Sequence, residues 1–253
     1  MNQVPKFICF ICDQELLEKE SSCVCTFCRK QEPGEWVCPG GHYICEECRL
    51  ASPEDVIKRV CLSTKSSDPW EIATLIMRHP AFRSHGVEHH LLVAPVVLTA
   101  LVNSGQIELE KGKISAAIKR TADIPFGVCG SRGDCGACIG AGAAVSIILK
   151  ANFTSAKERS LVLKTAASAL LRIAEAGGTR CCKQSVYAAV ETCTLVFRDE
   201  LKLDLKIGNK KCPFSQRISD CKKEMCTYFS ASGDQGDSFR ENCPPGPPAK
   251  AFD

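Results

Sequence analysis

Eight soft ligands open the chain in four close pairs: Cys9-x2-Cys12, Cys25-x2-Cys28, Cys38-x3-His42 and Cys45-x2-Cys48. Thiolate and imidazole groups at such short spacings are what tetrahedral zinc takes, and eight of them complete two sites. The pairs can be read in sequence or crossed. In the crossed form Cys9 and Cys12 share an ion with Cys38 and His42, and Cys25 and Cys28 share one with Cys45 and Cys48. That form keeps a short module compact and is the preferred reading. Cys23, two residues before Cys25, is an alternative first ligand for its pair. Pro39-Gly40-Gly41 predicts a tight turn returning His42 to Cys38, and Trp36 and Tyr43 are expected to pack over the metal sites.

The chain has 19 cysteines, and a second set lies in glycine-rich sequence. Cys129-Gly-Ser-Arg-Gly-Asp-Cys135-Gly-Ala-Cys138 places three thiols directly before a predicted helix. Glycines let the backbone curl round a cluster, and N–H groups at a helix start stabilise thiolate charge. The spacing matches neither ferredoxin nor zinc ribbon, and no strand precedes it as a dinucleotide fingerprint requires. Gly177-Gly178-Thr179-Arg180-Cys181-Cys182-Lys183 is built alike, with two cations that would lower a thiol pKa. Adjacent cysteines seldom serve one metal, so one of Cys181 and Cys182 is expected to ligate and the other to be free or redox-active. His85-Gly-Val-Glu88-His89-His90 supplies imidazoles, and His85 and His89 share a helical face if the helix starts early enough. Glu88 would orient an imidazole or move a proton. Cys212, Cys221 and Cys226 would close a third metal site or return to the central one. Cys193 reads as a small buried hydrophobe, and Cys61 has no evident companion.

These residues need elements to hold them. Residues 7–50 show almost no apolar periodicity and depend on metal for folding; they are expected to form a zinc-binding module of treble-clef or cross-braced type. Ser52-Pro53 and Asp68-Pro69 are helix starts, each a cap followed by proline at the first helical position. Further helices are predicted at 88–103, with a kink at Pro95, and at 113–122, 138–151, 154–176 and 183–197. The small residues of 138–151 predict close packing against a helix or a cofactor. Alternation of Leu201, Leu203, Leu205 and Ile207 predicts a short strand. The fold class is therefore a mostly α-helical domain with an N-terminal binuclear zinc-finger-like module. Residues 51–230 form the cysteine-rich helical domain and residues 231–253 a disordered Pro-rich tail.

Composition narrows the function. Thirty-two basic against 29 acidic residues give a formal charge of +3, too weak a bias to imply nucleic acid. Residues 1–6 are polar and 7–12 too short for an export segment. The apolar runs 91–102 and 137–149 fall short of the roughly 20 residues that span a bilayer. Many thiols, several in C-x2-C pairs and odd in number, point to cytoplasmic metal chemistry rather than a secreted disulfide scaffold.

Taken together, five motifs resemble an uncharacterised cysteine-rich family of methanogens and other anaerobes whose domain is of unknown function. They are His85-Gly-x2-His89-His90, Cys129-Gly-x4-Cys135-Gly-Ala, Gly140-x-Gly-x-Ala-Val-Ser146, Gly177-Gly-x-Arg-Cys181-Cys182-Lys183 and Cys212…Cys221-x4-Cys226. The resemblance covers residues 7–230 and implies one shared site without naming a reaction. Cys138 stands where that pattern has alanine. Some members are labelled methyltransferases dependent on S-adenosylmethionine, but no strand and glycine loop of that kind is readable here.

The expected function is a metal-binding protein with an iron–sulfur cluster or redox-active thiols. His85, His89, Cys129, Cys135, Cys181 and Cys182 would gather in a central pocket. Cys129, Cys135, Cys181, His85 and Arg180 would bind the cofactor, while His89, Glu88, Cys182 and Lys183 carry the chemistry. A small substrate or a partner's cofactor would be acted on, and a protein partner would meet the N-terminal module. The alternatives are a non-enzymatic zinc-binding adaptor and a methyl- or sulfur-transfer enzyme.

Overall fold

In the computed structural model, which describes residues 7–231, the chain begins with two turns of one construction. In the first, Cys9 N–H donates to the Gln14 carbonyl (2.9 Å) and Asp13 N–H to the Cys9 carbonyl (2.9 Å). In the second, Cys25 N–H donates to Lys30 (2.8 Å) and Arg29 N–H to Cys25 (2.9 Å). Each C-x2-C pair is followed by a left-handed residue, Asp13 (φ 59°) and Arg29 (φ 62°). The second turn joins strands β1 (Leu17–Val24) and β2 (Gln31–Val37) into an antiparallel hairpin. A four-residue helix, α1 (Glu46–Arg49), ends this segment. The hairpin was not foreseen, because β1 is polar and mostly exposed and carries no alternation.

The helices follow largely as their caps predict. Ser52 Oγ accepts from Asp55 N–H at the start of α2 (Pro53–Ser63), and Asp68 accepts from Trp70 N–H (2.8 Å) at the start of α3 (Pro69–Met77). Such caps satisfy amides that the first helical turn leaves without partners. The end of α3 ties the helices to the N-terminal segment. Arg78 donates to the Ile11 carbonyl (3.0 Å), and His79 Nε2 lies 2.8 Å from the Cys48 carbonyl.

The predicted long helix at 88–103 is in fact two elements. A 3-10 turn spans Val87–His90, and α4 begins only at Val93 and runs to Asn103. Pro95 therefore lies in the first turn, where its missing N–H and its ring do no harm, and it makes no kink. As a consequence His85 lies outside the 3-10 turn and before α4, and His85 and His89 do not share a helical face.

The chain continues through α5 (Lys113–Lys119), α6 (Val128–Ser131), α7 (Gly136–Ile148), α8 (Ala156–Glu175) and α9 (Cys182–Val196), which runs on into a π turn at Phe197–Leu201. Helix α7 is the central one, touching α4, α8 and α9. Its small residues serve helix packing: a Cβ at Gly142 would lie 2.9 Å from the Val162 carbonyl oxygen of α8. At Gly136 a Cβ would lie 2.2 Å from His90 Cγ, so the 3-10 turn can rest on the start of α7 only because that position has no side chain.

The strand predicted at 201–207 is absent. Its alternation is real, with Leu205 buried and Lys202, Asp204 and Lys206 exposed, but no strand lies beside it. The Gln106 side chain takes the partner's place, accepting from Asp204 N–H (2.5 Å) and donating to the Asp204 carbonyl (2.6 Å). The Pro-rich tail expected at the end of the chain lies outside the described residues, apart from its first residue. Among the described residues, no helix is long and apolar enough to cross a membrane.

Gly136→Ala is expected to lower unfolding free energy by about 1–3 kcal/mol, the usual cost of overpacking. Gly130→Ala, whose Cβ would meet nothing within 4 Å, is expected to leave it unchanged. Chemical denaturation followed by circular dichroism compares the two.

Candidate metal centres and thiol cavity

The four N-terminal pairs converge in the crossed grouping. Ligand atoms of Cys9, Cys12, Cys38 and His42 all lie within 4.8 Å of one another, and so do those of Cys25, Cys28, Cys45 and Cys48. Cys12 and Cys38 Sγ are 3.4 Å apart, Cys28 and Cys45 Sγ 3.6 Å, and His42 Nδ1 is 3.6 Å from Cys38 Sγ. A tetrahedral ion with metal–sulfur bonds of about 2.3 Å needs ligand–ligand edges of about 3.8 Å. Both groups fit that size. Backbone amides point at the sulfurs: Gly40 N–H donates to Cys38 Sγ (3.3 Å) and Cys45 N–H to Cys25 Sγ (3.5 Å). The Gly41 N–H bond to the Cys38 carbonyl (2.8 Å) makes the turn that returns His42. Burial first, then the neighbouring thiols, hold Cys12 up at about 12 and Cys45 up at about 11. A dication reverses that balance, because it binds the thiolate. Among the described residues these are two clusters able to coordinate a metal ion.

Cys23 is not in either group. It is buried beside Ser21, with Sγ to Oγ 3.3 Å, so Cys25 is the residue that lies among the ligands. Trp36 packs against Phe7 at a tilt of 57°, with ring centroids 4.6 Å apart, and Tyr43 donates to Glu32 (2.9 Å).

The two glycine-rich loops meet at a small cavity of about 30 Å³. His89, Cys129, Cys135, Arg180, Cys182 and Ser185 line it, and Arg180 lies 4.4 Å over the ring of Phe126 at its edge. Cys129 is exposed on α6, whereas Cys135 and Cys182 are buried at the N-terminal ends of α7 and α9. The Cys135 thiol is lowered to about 6. The Cys138 thiol bonded to it is the largest cause, backbone N–H groups of Cys138 and Ala137 and the Ser185 hydroxyl add to it, and burial opposes it. Cys138, fully buried, is raised by that same bond and by burial. The Cys182 thiol is pushed up by burial.

His89 is fully buried behind this cavity. Its Nδ1 lies 3.2 Å from the Gly86 carbonyl and its Nε2 3.2 Å from Lys183 Nζ. Nδ1–H therefore donates to Gly86, and neutral Nε2 accepts from the ammonium. Burial, then the Lys183 charge, keeps His89 well below the ordinary imidazole range. Lys183, lowered by burial, also donates to the Arg83 carbonyl (2.7 Å). Glu88 accepts from Arg83 N–H (3.0 Å) and stands 3.8 Å from His89 Nδ1, outside hydrogen-bond range. It braces the turn rather than bonding the imidazole.

The fold divides the remaining expected residues. Cys181 and Cys182 are neighbours in sequence but line different cavities. Cys181 faces a second one, of about 20 Å³, with Cys212, Cys221 and Cys226. Burial first, then Cys181, Cys226 and Cys221, raise Cys212 to about 12. His85 is likewise outside the first cavity, its Nε2 2.9 Å from the Asp220 carboxylate. Cys193 is buried in the core, as its small apolar surroundings require, and Cys61 is buried in α2. Ser185 is a contributor the sequence reading does not name, and Cys138, named among the three thiols of its loop, is given no role there. The signal for Cys138 was present: Cys135-Gly-Ala-Cys138 is a C-x2-C pair spanning the first turn of a helix. All 18 described cysteines are free thiols.

Neither curated proteins nor solved structures provide a match to this chain. One family model matches, over residues 57–229, which takes in α3 to α9 and both thiol cavities while leaving out the N-terminal pairs. The chain belongs to that family, described as a family of unknown function (DUF5714).

Proposed function

We propose that this is a cytoplasmic, metal-stabilised thiol-redox protein, and that Cys135 is its reactive sulfur. The observation that carries this reading is the Cys135-Gly-Ala-Cys138 pair at the start of α7, with its depressed first thiol opening into a cavity. Helix N-termini and C-x2-C spacing are the settings in which cysteine becomes a thiolate near neutral pH. The reaction class is dithiol–disulfide exchange. Cys135 thiolate attacks one sulfur of a substrate disulfide, the S–S bond breaks, and the other sulfur leaves as thiolate. Cys138 then loses its proton, attacks the Cys135 sulfur and releases the second substrate thiolate. The protein ends as a disulfide and the substrate as a dithiol.

The surroundings suit that chemistry. Arg180 at the cavity edge favours an anionic substrate, and the buried Lys183 and His89 place positive charge and fixed dipoles behind the thiols. Cys182 and Cys129 offer further sulfurs on the same cavity. The alanine in the resembled pattern makes Cys138 a feature of this chain, whereas Cys129, Cys135 and Cys182 of the cavity belong to that pattern. The two N-terminal groups would hold zinc, a closed four-ligand set being the mark of a structural site. A protein partner would meet exposed Phe7, Ile8 and Phe10 on that module. Methyl transfer on a nucleotide-binding sheet finds no platform among the described residues, whose one sheet is a two-stranded hairpin.

Two outcomes are expected. Cys135 alkylation by iodoacetamide, followed by mass spectrometry, should rise with pH through a midpoint near 6, because the reactive thiolate is lost below that pH. In Cys138→Ala the midpoint should move upward, since the bond that stabilises the thiolate is gone. A wild-type midpoint near the ordinary thiol value of about 8.5 would sink the proposal. Separately, zinc analysis should return two ions held by residues 9–48, and Cys45→Ser should lose one. Chelation should strip hydrogen-exchange protection from β1 and β2, because metal binding is folding free energy for so small a module.

A further inference from the structure

The second cavity is built on a different set of thiols from either metal group and from the Cys135 centre. Cys181 comes from the N-cap of α9, and Cys212, Cys221 and Cys226 come from the closing segment. That segment has almost no regular structure of its own, only a 3-10 turn at Lys223–Met225. Its ends are drawn together by Cys212 N–H donating to the Tyr228 carbonyl (2.7 Å) and Ser215 Oγ donating to the Ser230 carbonyl (3.0 Å). Long irregular loops inside a folded domain are uncommon without a functional reason, and a bound metal is one way to organise them.

The sulfurs carry the same backbone signature as the N-terminal groups. There, amides two or more residues along the chain donate to Sγ, as Gly40 does to Cys38. Here Gln184 N–H donates to Cys181 Sγ (3.5 Å) and Lys223 N–H to Cys221 Sγ (3.4 Å), and Phe214 N–H reaches Cys212. Amides so placed stabilise thiolates and not apolar thiols. Positive charge is also at hand. Lys222 lines the cavity and donates to the Gly177 carbonyl, and buried Lys183 follows Cys181 by two residues. Gly178 permits this approach: its φ is +73°, and a Cβ there would lie 3.0 Å from the Lys222 side chain.

The spacing separates this set from the zinc-type groups. Among the described residues, the groups whose ligand atoms all draw in to 4.8 Å are the two N-terminal ones, and no three of Cys181, Cys212, Cys221 and Cys226 draw in so closely. One tetrahedral ion needs sulfurs about 3.8 Å apart; a polynuclear cluster, its irons held outward by four cysteines, needs more room. Tyr187, Ile218, Tyr228 and Phe229 wall the space. We infer that Cys181, Cys212, Cys221 and Cys226 hold an iron–sulfur cluster, distinct from the two N-terminal metal sites and from the Cys135 cavity. The inference does not depend on the reactivity of Cys135.

The test is anaerobic purification of the full chain, incubation with ferrous iron and sulfide, desalting, and analysis of iron, acid-labile sulfide and zinc with a visible absorption spectrum. Iron and sulfide in equal amounts, with a visible charge-transfer band, are expected beside zinc. Adjacent alanine variants locate the cluster: Cys181→Ala should lose nearly all iron, and Cys182→Ala should keep it. Cys212→Ser should lose iron and retain the zinc of the N-terminal groups, which also reports that it has folded. A colourless protein carrying further zinc, or no metal beyond the N-terminal groups, overturns the inference. So does iron that survives Cys181→Ala and is lost from Cys182→Ala or Cys129→Ser, which would put the cluster in the first cavity. Failure of the Cys135 pH profile would leave these metal results unaffected, so the two proposals fall separately.

Discussion

A buried ammonium governs the centre of this fold. Lys183 is 3% exposed, and a charge so placed is costly unless hydrogen bonds and neighbouring groups compensate it. Its bonds to the Arg83 carbonyl and to His89 Nε2 pin the start of α9 to the turn at Val87–His90. That turn rests on the side-chain-free face of Gly136, at the start of α7. Lys183, His89, His90 and Gly136 thus bring two helix N-termini to one place, and each N-terminus delivers thiols. The lysine would serve the sulfur chemistry twice, once by geometry and once by charge.

The consequence at Cys181 and Cys182 is local and sharp. Cys181 is the N-cap and accepts an amide, while Cys182 begins the helix and turns toward Gly86 and Cys135. Successive residues at a helix start project in different directions, so one dipeptide can serve two cavities. The chain thus sets two thiol-lined cavities at one helix end, with the Lys183 charge acting on Cys181, Cys182 and Cys212.

The N-terminal segment is joined to this arrangement through backbone carbonyls. Arg78 and His79 at the end of α3 reach Ile11 and Cys48, and Arg217 of the closing segment reaches the Phe10 and Ile11 carbonyls (3.1 and 3.2 Å). Carbonyls of the C-x2-C turns are fixed by the ligand groups, so the orientation of these contacts follows from the turn geometry. The family match begins at residue 57, after these turns. The helical part is therefore what the family shares, and the N-terminal groups lie outside the matched region.

Much of this was legible from residue types and spacing. Ser52-Pro53 and Asp68-Pro69 announce helix starts because a cap and a proline satisfy the same local rule wherever they occur, and paired cysteines announce metal ligands because the ion dictates their spacing. The left-handed Gly177 and Gly178 stop α8 for equally local reasons. What failed was decided at a distance. The β1–β2 hairpin is polar, so its hydrogen bonds and not its side chains define it. Residues 201–207 alternate as a strand does, yet their partner is a glutamine side chain nearly a hundred positions away in sequence. Pro95 was read as a kink because nothing nearby says where α4 begins. Which of Cys181 and Cys182 joins which thiols depends on the direction of α9 and on where the closing segment folds back. Local chemistry thus determined the ligands, caps and candidate thiols, and only tertiary packing decided their partners, because a side chain's neighbours across the fold are set by helices that meet far apart in the chain.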